Sequence, residues 1–249
     1  MSAKYSNIVE ELDALLRFHQ ALGIDVYPRS EGIERFLAAE HVGEDRLGTA
    51  GGAESDRAGR QEELEALAGE IEQCARCPLS QDTRGRVPGT WIIGCRLLVV
   101  GDFSLQAGTI STDILFGGEE DAMLWKMMAA IGLSRDQVSV TNALKCCPAD
   151  PEGIGADGEN ACAPFLEREV GALEPALICA MGETAARVLT GKKDPLARLR
   201  GRFLPCRFRT DRTIMVMPTF HPRFLLRHPE MKRATWNDLQ AIEKRLKGK

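Results

Sequence analysis

The sequence predicts an α/β protein built on a small, mainly parallel sheet with helices on both faces. Two observations carry that prediction. Four apolar runs of strand length recur: RLLVVG (96–101), QVSVTN (137–142), ALICAMG (176–182) and TIMVMP (213–218). Helix-like stretches lie between and after them: EDAMLWKMMAAIGL, ENACAPFLEREVGAL, ETAARVLTG and MKRATWNDLQAIEKRL. Short buried strands separated by helices give a parallel sheet covered on both sides.

Taken in order, residues 5–20 (YSNIVEELDALLRFHQ) space their apolar positions at three and four, as an amphipathic helix does. A second short helix is expected at 33–40, after the turn-prone YPRSEG. The stretch of about 43–63 is Gly-rich, charged and nearly free of large apolar residues, which is linker composition. The expected organisation is a helical N-terminal extension (1–42), a flexible linker (43–63) and an α/β domain (64–249). In such a domain ligands bind beyond the C-terminal ends of the strands. That draws attention to Gly101, Asp102 and Phe103, to Asn142, to Gly182 and Glu183, and to Pro218 through His221.

The 249 residues are 44% hydrophobic and 27% charged, ordinary values for a soluble protein. No apolar run is long enough to cross a bilayer, and the acidic N-terminus lacks a signal-peptide core. A cytoplasmic protein with no membrane partner is therefore expected, and its eight cysteines read as thiols or metal ligands. The net charge of −4 hides a division. Residues 187–249 hold 17 Lys and Arg against 5 Asp and Glu; the rest hold 15 against 31. A basic C-terminal quarter on an acidic protein suits either a polyanion-binding face or a solvated basic surface.

The segment IEQCARCPLS, 71–80, places Cys74 and Cys77 at metal-ligand spacing. Cys146, after the second strand, and Cys162, opening a helix, complete a two-plus-two set. Spacing alone does not separate zinc from an iron–sulfur cluster, since both accept four thiolates. Cys179, inside an apolar strand, reads as a small core residue.

The order CxxCxL, a strand, TNALKC, CAPFLEREVGALEPALICAMGETAARVLTG and MPTFHPRFLLRHPEMKRATWNDL closely resembles the family-4 uracil-DNA glycosylases over roughly residues 70–249. The resemblance implies a three-layer αβα sandwich and hydrolysis of the N-glycosidic bond of uracil in single- or double-stranded DNA by a monomer. It implies a 4Fe–4S cluster on Cys74, Cys77, Cys146 and Cys162, with Cys146 rather than its neighbour Cys147 as the ligand. It assigns Asn142 to the uracil edge, where the side chain accepts from N3–H and donates to O4, and Phe116 to stacking on the flipped base. His221, in PTFHP, is expected to donate to uracil O2. Read without the resemblance, Asn142 is equally a cap, whereas Phe116 reads more readily as a core ring and His221 as a structural histidine. Arg223, Phe224, Leu225, Leu226 and Arg227 combine apolar and basic groups, suited to a loop that wedges into stacked bases and holds phosphates.

One segment departs from the family pattern. Where the family carries G-E-(A/G)-P-G, this sequence reads GDFSL. Gly101 is retained. Asp102 stands for the water-activating Glu, Phe103 adds bulk beside the base, and slow excision is expected. The family usually has a small residue where Arg223 stands. The sequence admits two other readings: a catalytically weakened relative that binds uracil-containing or single-stranded nucleic acid, and an iron–sulfur electron carrier.

Overall fold

Four parallel strands form where the apolar runs lie: β2 (Leu97–Gly101), β3 (Val138–Asn142), β5 (Leu177–Met181) and β7 (Met215–Thr219). The computed structural model describes residues 50–105, 115–148, 150, 155–210 and 213–248. The chain divides into two units, Met1–Ala53 and Glu54–Lys249. The expected extension 1–42 and its helices lie outside the described residues, as does the start of the expected linker.

From residue 50 that linker is instead helical: α1 runs Ala50–Glu72. Its Ala, Glu, Gln and Arg residues are strong helix formers, and Asp56–Arg60 and Gln61–Glu65 pair across single turns at 2.8 and 2.9 Å. Leu64, Leu67 and Ile71, three and four apart, are wholly buried. Three anchors in a polar segment were too sparse to mark the helix in sequence.

The sheet order is β3-β2-β5-β7-β6, where β6 (Leu204–Pro205) is a short antiparallel edge strand. The other helices are α2 (Gly118–Ala130), α3 (Ala156–Leu173), α4 (Glu183–Thr190), α5 (Leu196–Leu199), α6 (Pro222–Arg227) and α7 (Lys232–Leu246). Strand alternation separates two cores. Leu98, Val100, Ile178 and Val216 pack with Leu64 and Leu67 of α1, Leu166 and Val170 of α3, and Leu189 of α4. Leu97, Val99, Val140, Cys179 and Met217 pack with Leu124 and Met128 of α2 and Leu239 and Ile242 of α7. Each fully buried aliphatic side chain is worth about 1.5–3 kcal/mol, so the two cores make the sheet a rigid platform. This is the expected three-layer arrangement. No helix among the described residues is long and apolar enough to cross a membrane.

Beside the main sheet, β1 (Thr83–Arg86) pairs antiparallel with β4 (Cys146–Pro148). Strands of three and four residues carry too little periodicity to be seen in sequence. The ladder fastens the segment after Cys74 and Cys77 to Cys146.

Candidate active site

The register sets Gly101 opposite both Asn142 and Met181, and Met181 opposite Thr219. The strand ends therefore form one rim, with His221 two residues beyond β7. Gly101 is needed there for space. A Cβ at that position would collide with the Phe116 ring and lie 2.7 Å from Asn142 Oδ1. The Phe116 ring is also 4.7 Å from the His221 ring, tilted 49°. Gly101, Phe116, Asn142 and His221, far apart in sequence, are thus gathered at one place.

Two atoms at this place are orphaned. Asn142 Nδ2 donates to Leu115 O at 2.7 Å, which points Oδ1 away, and that oxygen is buried with no hydrogen-bond partner. His221 caps α6: its Nδ1 accepts from the Arg223 amide at 3.1 Å. An accepting Nδ1 leaves the ring proton on Nε2, and Nε2 is also buried without a partner. Burial, assisted by the Arg223 charge, lowers the His221 pKa to about 3. The ring is therefore neutral at physiological pH. A buried amide oxygen or imidazole N–H left unpaired costs about 1–3 kcal/mol, and one acceptor beside one donor on an aromatic face describes the edge of a planar heterocycle.

Asp121, which the sequence reading missed, holds this wall. Its buried carboxylate accepts from the amides of Leu115 (2.9 Å), Phe116 (3.1 Å) and Gly117 (3.4 Å). Burial raises its pKa and the amides of Leu115, Phe116 and Gly117 oppose that rise. An acid in the first turn of α2 was the available signal, but helix capping explains such an acid equally well.

The divergent loop is anchored to two neighbouring elements. The Asp102 carboxylate turns toward α4 and accepts from Ala185 N at 2.8 Å. It lies so close to Gly182 (φ 115°) that a Cβ there would collide with it. Burial lifts its pKa to about 6, against the Ala185 amide and the Arg223 charge. Phe103 meets Arg223, whose guanidinium lies 4.9 Å from its ring centroid.

The expected DNA-facing residues divide. Arg223 faces inward: Nε donates to Glu120 Oε1 at 3.3 Å, and Nη2 to the Phe103 and Phe116 carbonyls at 3.2 and 3.5 Å. Leu225, expected among the DNA-facing residues, is 1% exposed and packs inward. The cause is α6, whose helical turn directs Leu225 inward and its neighbours outward. Phe224 (36%) and Leu226 (37%) are exposed, as is Arg227. Phe224 stacks between Phe220 and His228, at 4.9 and 4.4 Å.

Cys146 lies on β4 and Cys162 on α3. Burial raises the Cys146 pKa to about 11, and Cys162 and Cys77 raise it further. Burial likewise raises Cys162, with Cys77 and Cys74 adding to it. Cys162 thus lies within electrostatic reach of Cys146, Cys77 and Cys74, and Cys146 within reach of Cys77. Arg86 fixes the loop by donating to Cys74 O from Nε (3.1 Å) and Nη2 (2.8 Å). Cys147 interacts with Ser104 and Arg84 instead of with these four, as alternation along β4 requires. Among the described residues no three His, Cys, Asp or Glu side chains are placed to hold a single metal ion. A zinc at about 2.3 Å from each sulfur would need a tighter group.

Comparison with known proteins identifies the family. The family model described as the uracil DNA glycosylase superfamily matches residues 92–240. The chain is 25% identical over 183 residues to the type-4 uracil-DNA glycosylase of Sulfurisphaera tokodaii, covering 72% of this chain and 83% of that protein. It is 27% identical over 191 residues to the type-4 enzyme of Thermotoga maritima, covering 76% and 97%. With that of Archaeoglobus fulgidus it shares 26% over 185 residues, covering 73% and 92%.

Proposed function

The chain belongs to the uracil DNA glycosylase superfamily, and from that membership we infer that it hydrolyses the N-glycosidic bond of uracil in DNA. One observation carries the inference to this chain's own residues: the unpartnered Asn142 Oδ1 and His221 Nε2 beside the Phe116 ring. Uracil N3–H is a donor and O2 an acceptor, the complement of that pair. Cytosine N3 has no hydrogen and would leave the Asn142 oxygen unpaired, which supports discrimination. The second expected contact, from Asn142 to O4, is limited because Nδ2 already donates one hydrogen to Leu115 O.

In this reading the base leaves its stack, at a cost of a few kcal/mol, and lies against Phe116. Water attacks C1′ while the C1′–N1 bond breaks and its electron pair passes to uracil. His221 meets the charge gathering at O2 as a neutral donor, which avoids the desolvation of a buried imidazolium. Asp102 takes the water proton; with its carboxylate held at the Ala185 amide, it must act from that anchored position or turn from it. Phe224, Leu226 and Arg227 face the DNA.

The four thiols fit a 4Fe–4S cluster on the chemistry of the donor set, with Cys74, Cys77, Cys146 and Cys162 as its ligands. When bound, it supplies the cationic charge the thiolates need and joins the CxxC loop to the domain. The same reading places the protein in the cytoplasm as a monomer. The test is incubation with a uracil-containing oligonucleotide, scoring abasic sites. Cleavage by the wild type, reduced about 10²–10³-fold in Asn142→Ala or His221→Ala, is expected. No abasic sites in either single- or double-stranded substrate would overturn the reading.

A further inference from the structure

Asp238 in α7 is a buried carboxylate, 1% exposed, with no part in the steps proposed for uracil. Its partners gather behind the strand ends. Thr219 Oγ1 donates to Asp238 Oδ2 at 2.6 Å. Arg200, the C-cap of α5, donates to the same carboxylate from Nε at 3.1 Å and from Nη2 at 2.8 and 2.9 Å. It also donates to Ala234 O and lies over the Phe220 ring, 5.3 Å from its centroid. Burial raises the Asp238 pKa, and the Thr219 hydroxyl and the Arg200 charge oppose that rise.

Helix-on-sheet packing does not need this arrangement. Met217, Leu239 and Ile242 already pack α7 on the sheet, and buried ion pairs are often replaceable by apolar side chains without loss of stability. What the ionic group adds is a directional hold on one short segment. Thr219 ends β7 opposite Met181, and its carbonyl accepts from Gly182 N at 3.0 Å. Beyond it the chain leaves the sheet through Phe220 to His221. From the C-terminal side α6 holds His221, through the bond from Arg223 N to Nδ1. From the N-terminal side Asp238 holds the Thr219 hydroxyl directly and the Phe220 ring through Arg200. Those two residues deliver His221 to the rim. A donor acts on developing charge only from a set position, and a misplacement of about 1 Å can cost about 10²-fold in rate.

Resting on the glycosylase reading, we propose that Asp238 and Thr219 are positioning residues: their hydrogen bond sets where His221 Nε2 meets uracil O2. Arg200 serves the same end, by neutralising Asp238 and by covering the Phe220 ring. The hold acts on the donor and not on the DNA surface of α6. Its loss therefore slows the chemical step and leaves the grip on the strand.

The experiment compares Thr219→Val, which removes the hydroxyl, with Thr219→Ser, which keeps it. Each is measured for single-turnover excision from a uracil-containing oligonucleotide, for affinity toward a uracil-free one, and for the His221 ring nitrogens by NMR. The ring signals are identified by their loss in His221→Ala. Thr219→Val should excise about tenfold or more slowly while binding the uracil-free oligonucleotide as the wild type does. Its two ring nitrogens should move toward each other in chemical shift, because a displaced ring loses the Arg223 amide and shares its proton between Nδ1 and Nε2. Thr219→Ser should restore most of the rate and the wild-type ring signals. A methyl group in place of the hydroxyl crowds Asp238 Oδ2, so Thr219→Ala carries the same expectations if Thr219→Val does not fold. Excision at the wild-type rate without the hydroxyl overturns the positioning role, as does a Thr219→Ser protein that is equally slow. So does a rate loss with unmoved ring signals, or one matched by a loss of oligonucleotide affinity. Those outcomes leave the glycosylase in place. A wild type that makes no abasic sites removes the glycosylase instead, and the ring signals then decide alone. Moved without the hydroxyl and restored in Thr219→Ser, they keep the hold on His221; unmoved, they remove it.

Discussion

Lys145 Nζ lies 2.7 Å from both carboxylate oxygens of Glu169, with the two side chains 2% and 0% exposed. Lys145 also donates to Thr141 Oγ1 at 2.7 Å. The pair therefore sits between the end of β3, which carries Asn142, and the strand and helix that carry Cys146 and Cys162. Burial raises the Glu169 pKa, and the Lys145 charge opposes the rise. Lys145→Met should cost about 3–5 kcal/mol, because it strands a buried carboxylate. The double variant Lys145→Met/Glu169→Leu should recover most of that loss. Urea unfolding of the three proteins measures both values, and equal losses in the single and double variants would contradict the account.

His221 and Asp102 give the protein opposite pH responses. The folded His221 pKa, about 3, lies below its ordinary value of 6.5, so the unfolded chain takes up the proton first. The stability His221 contributes is complete above about pH 6.5 and is lost as pH falls toward 3. The folded Asp102 pKa, about 6, lies above its ordinary value, so its contribution is present below about pH 4 and lost as pH rises through 6. For catalysis the order reverses, since Asp102 works as a base only when ionised. Excision should rise with pH through about 6 with no histidine limb near neutrality. A pH–rate profile in which Asp102→Asn keeps that acid limb would remove Asp102 from the role of base.

In the cluster reading, Cys146 is a ligand and its neighbour Cys147 on β4 is not. Cys146→Ala should lower iron content from about four per chain and destabilise the fold, whereas Cys147→Ala should retain iron. Iron and zinc analysis of anaerobically purified protein reads this directly. Stoichiometric zinc without iron would overturn the cluster.

On α6, adjacent leucines should behave differently. Leu225→Ala empties a core site and should cost about 2–5 kcal/mol in unfolding experiments. Leu226→Ala should leave stability within about 0.5 kcal/mol while slowing excision from duplex more than from single-stranded substrate. Arg227→Glu should weaken DNA binding and flatten its salt dependence, because each phosphate contact adds to the slope. A Leu226→Ala protein that cleaves both substrates at the wild-type rate would show that the exposed side chain is not a wedge.

Sequence alone determined the sheet and its helices, because strands buried on both faces are short and rich in apolar and β-branched residues, and RLLVVG, QVSVTN, ALICAMG and TIMVMP each became a strand within two residues of the expected bounds. It also marked Asn142 and His221, since residues at strand ends are where such folds bind ligands. Local pattern could not show α1 beyond the expected linker, because only Leu64, Leu67 and Ile71 on one face of a polar helix meet the core. Nor could it decide which of two adjacent leucines is exposed, or that Arg223 faces Phe103, Phe116 and Glu120 rather than solvent. Those outcomes depend on which groups from distant segments arrive at the same place. A guanidinium has the same donors in every sequence context. Only packing brought two carbonyls, a carboxylate and an aromatic face within its reach.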